Sequence, residues 1–116
     1  MESILTSIKK QLGIVEEYNH FDPEIIMSIN SALFTLNQIG VGPSEGFSIK
    51  DKTATWSDFT DISKIEAVKT FVYMKVRLVF DPPASSAHLE SMKNQINELE
   101  WRLNAAAESG ANGEEG

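Results

Sequence analysis

The side chains that could bind a metal or take part in catalysis are few and widely separated in this sequence. It has two histidines, His20 and His88, and no cysteine. Neither histidine has a second ligand at the spacing of a metal site. His20-Phe21-Asp22 does bring a carboxylate close to a histidine, but Asp22 is placed to cap a helix. We therefore interpret both histidines as solvated or locally hydrogen-bonded.

Acidic and glycine-rich segments offer two further candidates, a cation site and a phosphate-binding loop. Asp58, Asp61 and Glu66 form a loose acidic cluster whose spacing differs from that of a calcium loop. Acids are also common at helix starts. The segment 40–43, Gly-Val-Gly-Pro, has proline where a phosphate cradle needs a backbone amide. The sequence therefore predicts no enzyme, no cofactor and no metal site.

Composition and charge narrow the remaining classes of function. With 116 residues, the chain predicts one domain with a modest core. Its net charge of −7 comes from 17 acids against 10 scattered bases, whereas a protein that binds phosphate backbones needs a basic face. A DNA-binding regulator is therefore disfavoured. No apolar run reaches membrane-spanning length and no signal peptide is evident, so we expect synthesis in the cytoplasm and no membrane partner.

Two helices are predicted in the first part of the chain. The first spans about residues 3–12 and ends at Gly13. The second begins at an Asp22 N-cap followed by Pro23 and ends at Gly40. Its apolar residues recur every three to four positions, which is typical of a helix with one buried face: Ile25, Ile29, Ala32, Leu33 and Leu36.

The middle of the chain predicts extended backbone and then an unusually apolar helix. Phe47 and Ile49 alternate with polar residues, and Thr53 to Trp56 favour strand, so we expect a short β-hairpin over 47–56. A capping box formed by Ser63 and Glu66 predicts a third helix that ends at Phe80, before a double proline. An isolated hairpin is marginal and this helix is apolar on several sides, so both are expected to contact neighbouring subunits.

The fourth predicted helix spans about residues 87–107, is capped by Ser85 or Ser86, and has two different faces. Its apolar seam follows a three-four heptad spacing and is formed by Leu89, Met92, Ile96, Leu99 and Leu103. Trp101 falls on the opposite side, where a large aromatic residue is either incidental or an anchor against another surface. The fold class is therefore mainly α: about four helices with a short β-hairpin between helices two and three. Residues 1–107 form one domain and residues 108–116 a disordered acidic tail.

These patterns resemble a known family, the head–tail connector (adaptor) proteins of tailed bacteriophages and prophages. The resemblance rests on a short helix that ends in Leu12-Gly13-Ile14, on the acid Asp22, and on the long helix after it. The apolar third helix, with Tyr73 and Arg77 before Asp81-Pro82-Pro83, is similar to the connector helix that carries an aromatic residue and an arginine before a loop. The hairpin segment and the long fourth helix depart from that pattern.

The resemblance implies a structural role in the virion. Such proteins form rings, commonly twelve-fold, that dock under the portal protein, extend the DNA channel and contact the next connector or the tail. The implied location is the virion neck, after synthesis in the host bacterial cytoplasm, and DNA passes through without sequence-specific binding. The expected partner-binding residues, which combine this resemblance with the patterns above, are Phe47, Ile49, Trp56, Tyr73, Arg77 and Trp101.

One alternative from a different class stays open at this stage. The heptad seam of the fourth helix is also compatible with a small helical interaction or regulatory module that dimerises through this helix. The number of subunits would distinguish this module from a connector, because the module is expected to form a dimer and the connector a ring of many subunits.

Overall fold

The chain folds into helices joined by connections of five to 17 residues. The computed structural model describes the backbone of residues 2–115 and the side chains of residues 2–108. The helices are α1 (Ile4–Gln11), α2 (Asp22–Gln38), α3 (Trp56–Phe59), α4 (Ile65–Phe80) and α5 (Ser86–Glu115). The mainly helical class is therefore confirmed. The predicted disordered acidic tail, residues 108–116, lies almost entirely outside the residues whose side chains the structure describes. Its disorder therefore stays a prediction.

The antiparallel pair α2 and α4 forms the centre of the fold. Phe21, just before α2, stacks edge-on against Phe80 at the end of α4, with ring centroids 5.2 Å apart. At the other end of the pair, Gly42 follows α2 and approaches the ring of Phe59, which precedes α4. Helices α1, α3 and α5 each pack on α4. The apolar residues predicted for α2, Ile25 to Leu36, are all buried.

Helix α4 is covered mainly by its own chain. It buries Ile65, Val68, Phe71, Val72, Met74 and Val76. Neighbouring subunits are therefore not needed to cover most of this helix, contrary to the expectation from its composition. Val79, near its C-terminal end, is the exception with 75% of its surface exposed. The helix is apolar on several sides because several helices of the same domain surround it.

The predicted β-hairpin is wrong, because residues 47–56 pair with other parts of the chain and not with themselves. Within residues 2–115, the only β-type pairing is a single bridge between Ser3 and Thr55. Asn30 on α2 holds Ile49 through two hydrogen bonds, from Asn30 Nδ2 to the Ile49 carbonyl (3.0 Å) and from the Ile49 amide to Asn30 Oδ1 (2.7 Å). Thr55 is extended, but the chain bends and turns over residues 50–53 and Trp56 already begins α3. Contacts with the helices therefore replace a two-stranded pair that would be marginal by itself.

A buried ion pair fixes the connection between α1 and α2. Gly13 ends α1 with a positive φ of 82°, a conformation that favours glycine. Lys9, whose side chain is 3% exposed, lies 2.9 Å from a carboxylate oxygen of Asp22. That oxygen is not aligned for a hydrogen bond, whereas Lys9 Nζ donates a well-formed one to the carbonyl of Glu16 at 2.9 Å. Lys9 therefore links the end of α1, the following loop and the start of α2.

Three predicted caps differ in their outcomes. Asp22 does not cap α2, because Phe21 occupies the N-cap position and Asp22 faces Lys9. The Ser63–Glu66 capping box is also wrong, since α4 begins without a side-chain cap and the Ser63 hydroxyl donates to Asp61. Ser85 does cap α5, as predicted, by accepting a hydrogen bond from the His88 amide at 3.3 Å.

Candidate partner-binding surfaces

Two of the predicted partner-binding residues lie in the core. Ile49 is 2% exposed and Trp56 is fully buried. The Trp56 indole donates a hydrogen bond to the hydroxyl of Ser7 at 2.8 Å, and this hydroxyl in turn donates to the Ile4 carbonyl. Neither residue can contact a partner in this conformation, so the expectation that the 47–56 segment is a contact element and not core is wrong for both. The apolar residues of this segment find their partners in the same chain.

Phe47 lies at the edge of the core. Its ring is half-buried and stacks edge-on against Phe59, with centroids 5.4 Å apart. The Phe59 ring also closes over Gly42: a Cβ added at that glycine would lie 2.5 Å from the ring, and its φ is +92°. Phe47 therefore supports the loop after α2, and its partner-binding role stays a prediction.

Tyr73 and Arg77 interact with each other on one side of α4. Both are half-buried. The Arg77 guanidinium lies 3.5 Å from the Tyr73 hydroxyl and donates to the Asp81 carbonyl at 3.2 Å. A cation bonded to a carbonyl at the C-terminal end of a helix also compensates the helix dipole. The pair therefore has a local stabilising role in this chain, and its contact with a partner stays a prediction.

Trp101 projects from α5 on the side opposite the apolar seam, as its heptad position predicted. It is 70% exposed, whereas Ile96 and Leu103 of the seam are 5% and 4% exposed. Met92 and Leu99 also pack against the core. The seam is therefore occupied within the same chain, where α5 lies on α4. This leaves Trp101 as a large aromatic group in solvent.

A groove between α2 and α4 is a further apolar surface that the sequence did not reveal. It has a volume of about 340 Å³, and its lining includes Met27, Ala32, Lys75, Leu78 and Val79. Met27 is 73% exposed, and Val79 is comparably exposed at the other wall. One signal was present: Met27 lies on the face of α2 opposite the buried residues, where a polar side chain is usual.

Phe34 extends this apolar surface along the outer face of α2. It lies seven residues after Met27, two helical turns along the same side, and is 62% exposed. Both residues face away from the core, so neither contributes to the packing of the helix pair. Large apolar residues exposed on one face of a small domain are typical of protein contact sites.

Two of the three acids singled out from the sequence have local hydrogen-bond partners. Asp58 accepts a hydrogen bond from the Thr55 amide at 2.9 Å, and the hydrogen bond from the Ser63 hydroxyl lowers the pKa of Asp61. Among the described residues, no group of three His, Asp or Glu side chains is arranged to hold a metal ion. Within the same range, no helix combines the length and apolarity needed to cross a membrane.

Together, these features describe a small acidic helical domain with exposed apolar surfaces suited to contacts with other proteins. The family described as phage connector protein matches residues 4–110, nearly the whole chain. The chain therefore belongs to the phage connector protein family. No curated protein and no solved structure matches it. The match includes the 47–56 segment and residues 86–110 of α5, the two segments that were expected to depart from the family pattern.

Proposed function

We propose that this chain is a non-catalytic head–tail connector subunit that forms a ring under the portal and joins the capsid to the tail. Its membership of the connector family over residues 4–110 carries the proposal. In this role the chain contacts copies of itself, the portal protein, and the next connector or a tail protein. A twelve-fold ring is the stoichiometry that the resemblance implies.

The exposed surfaces support a subunit with several protein partners. Large apolar side chains reach solvent in two separate regions: Met27, Phe34 and Val79 at or near the α2–α4 groove, and Trp101 on α5. A monomer that acted alone would gain nothing from these side chains in water. A ring subunit placed between two other rings has neighbours on several sides, so separate apolar regions are expected.

The charge supports a conduit for DNA. A net charge of −7 per subunit repels the phosphate backbone, so DNA can slide through a ring without being held. The same charge makes copies repel each other. We therefore expect the isolated protein to be monomeric or weakly associated, and the ring to form mainly on the portal.

The occupied seam of α5 argues against dimerisation through this helix. Ile96 and Leu103 are buried in the same chain, so a zipper would have to pull α5 away from α4. This weakens the interaction-module alternative and leaves the connector role as the better supported function.

Deleting the gene from the phage or prophage that encodes this chain tests the proposed role. We expect DNA-filled heads and separate tails to accumulate, and the protein supplied from a plasmid to restore complete virions. Electron microscopy of the lysates distinguishes these particles. Normal virions without the protein, or empty heads with no packaged DNA, would contradict a role in joining the packaged head to the tail.

A further inference from the structure

We propose that Trp101 of one copy inserts into the α2–α4 groove of the next copy, the groove lined by Met27, Ala32, Lys75, Leu78 and Val79. This inference rests on the proposed ring and names the contact between its subunits. It joins two exposed apolar regions of the chain, one projecting and one concave.

The groove and the indole match in size and chemistry. At about 340 Å³, the groove lies near the lower end of the volumes that hold small organic ligands in proteins. Met27 provides a sulfur atom, which contacts aromatic rings favourably. Lys75 lies in the same groove, and an ammonium close to an indole face is attracted by the ring.

Charge distribution favours a second copy of this chain as the occupant. Lys75 has no ion-pair partner among the described residues, which pair Lys9, Lys64, Lys69 and Arg102. On α5, Glu98 lies one turn before Trp101, and its ion pair among the described residues is with the exposed Arg102, at 2.7 Å. An exposed pair of this kind is weak and exchanges readily. An aromatic group flanked by an acid therefore meets an apolar groove that contains an unpaired base.

The two surfaces differ, so the contact is directional. Trp101 faces away from α4, whereas the groove lies between α2 and α4. Each copy can therefore donate its indole to one neighbour and accept an indole from the other. Such a heterologous contact generates a ring when the rotation closes.

One indole is too small to hold two free copies together firmly. A buried tryptophan contributes roughly 150–250 Å², whereas stable complexes bury about 1,200–2,000 Å² in total. The contact is therefore weak for an isolated pair. It becomes effective in a closed ring, where every copy makes it twice.

Cysteine crosslinking tests the contact directly, because the chain has no cysteine of its own. Asn97→Cys is placed one turn before Trp101 on α5, and Ser31→Cys is placed in the groove. Both residues are exposed. Mixed at high concentration with a short bismaleimide, these two variants should form a heterodimer crosslink. Trp101→Ala in the Asn97→Cys chain should reduce its yield about 30-fold, as expected for a hot-spot residue.

Matched controls define the result that overturns the contact. Ser57→Cys replaces an exposed serine on α3, away from the groove, and should give no crosslink with Asn97→Cys. Crosslinks only between two Asn97→Cys chains would show that α5 pairs with itself. That outcome, or no Asn97–Ser31 crosslink at any concentration, rejects the proposal.

A mixing experiment tests the direction of the contact. Val79→Asp damages the groove but keeps the indole, and Trp101→Ala does the reverse. Each variant alone should remain monomeric by native mass spectrometry under conditions where the wild type associates. Because the contact is weak for an isolated pair, the mixture is tested at high concentration with Asn97→Cys added to the Val79→Asp chain and Ser31→Cys added to the Trp101→Ala chain, and the bismaleimide should trap a one-to-one heterodimer. Ile62→Asp, at another site that is 80% exposed, should associate like the wild type. Failure of the mixture to pair, or equal loss with Ile62→Asp, overturns the proposal.

Complementation of the deletion strain by plasmid-encoded variants tests this inference separately from the connector role. If Val79→Asp and Trp101→Ala both restore virions to the deletion strain, the named contact is wrong while the connector role stands. If the Asn97→Cys and Ser31→Cys variants crosslink as expected but deleting the gene leaves the joining of heads and tails unchanged, the connector role fails while the contact stands.

Discussion

Lys9→Met should destabilise the domain although it replaces a charged residue with an apolar one of similar length. The change leaves Asp22, which is 24% exposed, without its cation, and removes the donor to the Glu16 carbonyl. Breaking a fully buried pair costs roughly 3–5 kcal/mol. Since solvent reaches part of Asp22, we expect about 2–4 kcal/mol. For a chain of this length, that corresponds to a fall in melting temperature of roughly 8–16 °C.

Thermal and urea unfolding followed by circular dichroism measure this effect. Lys10→Met is the matched control, because Lys10 is exposed at the next position and should change stability by less than about 0.5 kcal/mol. Asp22→Asn completes a double-mutant cycle, in which we expect a coupling of more than about 1 kcal/mol between Lys9 and Asp22. Equal melting temperatures for the two lysine variants, or no measurable coupling, would refute the role given to this pair.

Two further comparisons test the packing of α5 and of the loop after α2. Leu103→Ala should lower the free energy of unfolding by about 2–5 kcal/mol, because this seam residue is buried. Trp101→Ala should change the free energy of unfolding of the monomer by less than about 0.5 kcal/mol. Equal losses in urea titrations would place Trp101 in the core. Gly42→Ala should cost about 2–4 kcal/mol, since its Cβ would strike Phe59 at a positive φ. Gly46→Ala has the same backbone strain but open space around it, so it should lower the free energy of unfolding by only about 1–2 kcal/mol. A decrease as large as that for Gly42→Ala would show that the Phe59 contact is unimportant.

The helices could be predicted because their signals are local. The buried face of α2 follows from the spacing of Ile25 to Leu36, and the apolar seam of α5 from its heptad pattern. The exposure of Trp101 follows from its position relative to that seam. Each of these predictions needs only the period of one helix and no knowledge of its neighbours.

Long-range partners explain the errors. Residues 47–56 carry the residue types of extended backbone, but no local pattern shows that Asn30 would bond to both backbone groups of Ile49. Lys9 looks like a surface lysine near a helix end, and its burial depends on Asp22, 13 positions later. The α2–α4 groove requires two helices to meet, so its exposed walls could not be located from either helix alone.

The most direct test of the connector role is a cryo-electron microscopy reconstruction of the neck of the mature virion that this chain serves. We expect a closed ring of helical subunits directly below the portal and around the DNA channel, with α5 packed on α4 in every copy. Density for this fold in the capsid shell or tail tip, or its absence from the particle, would contradict the account.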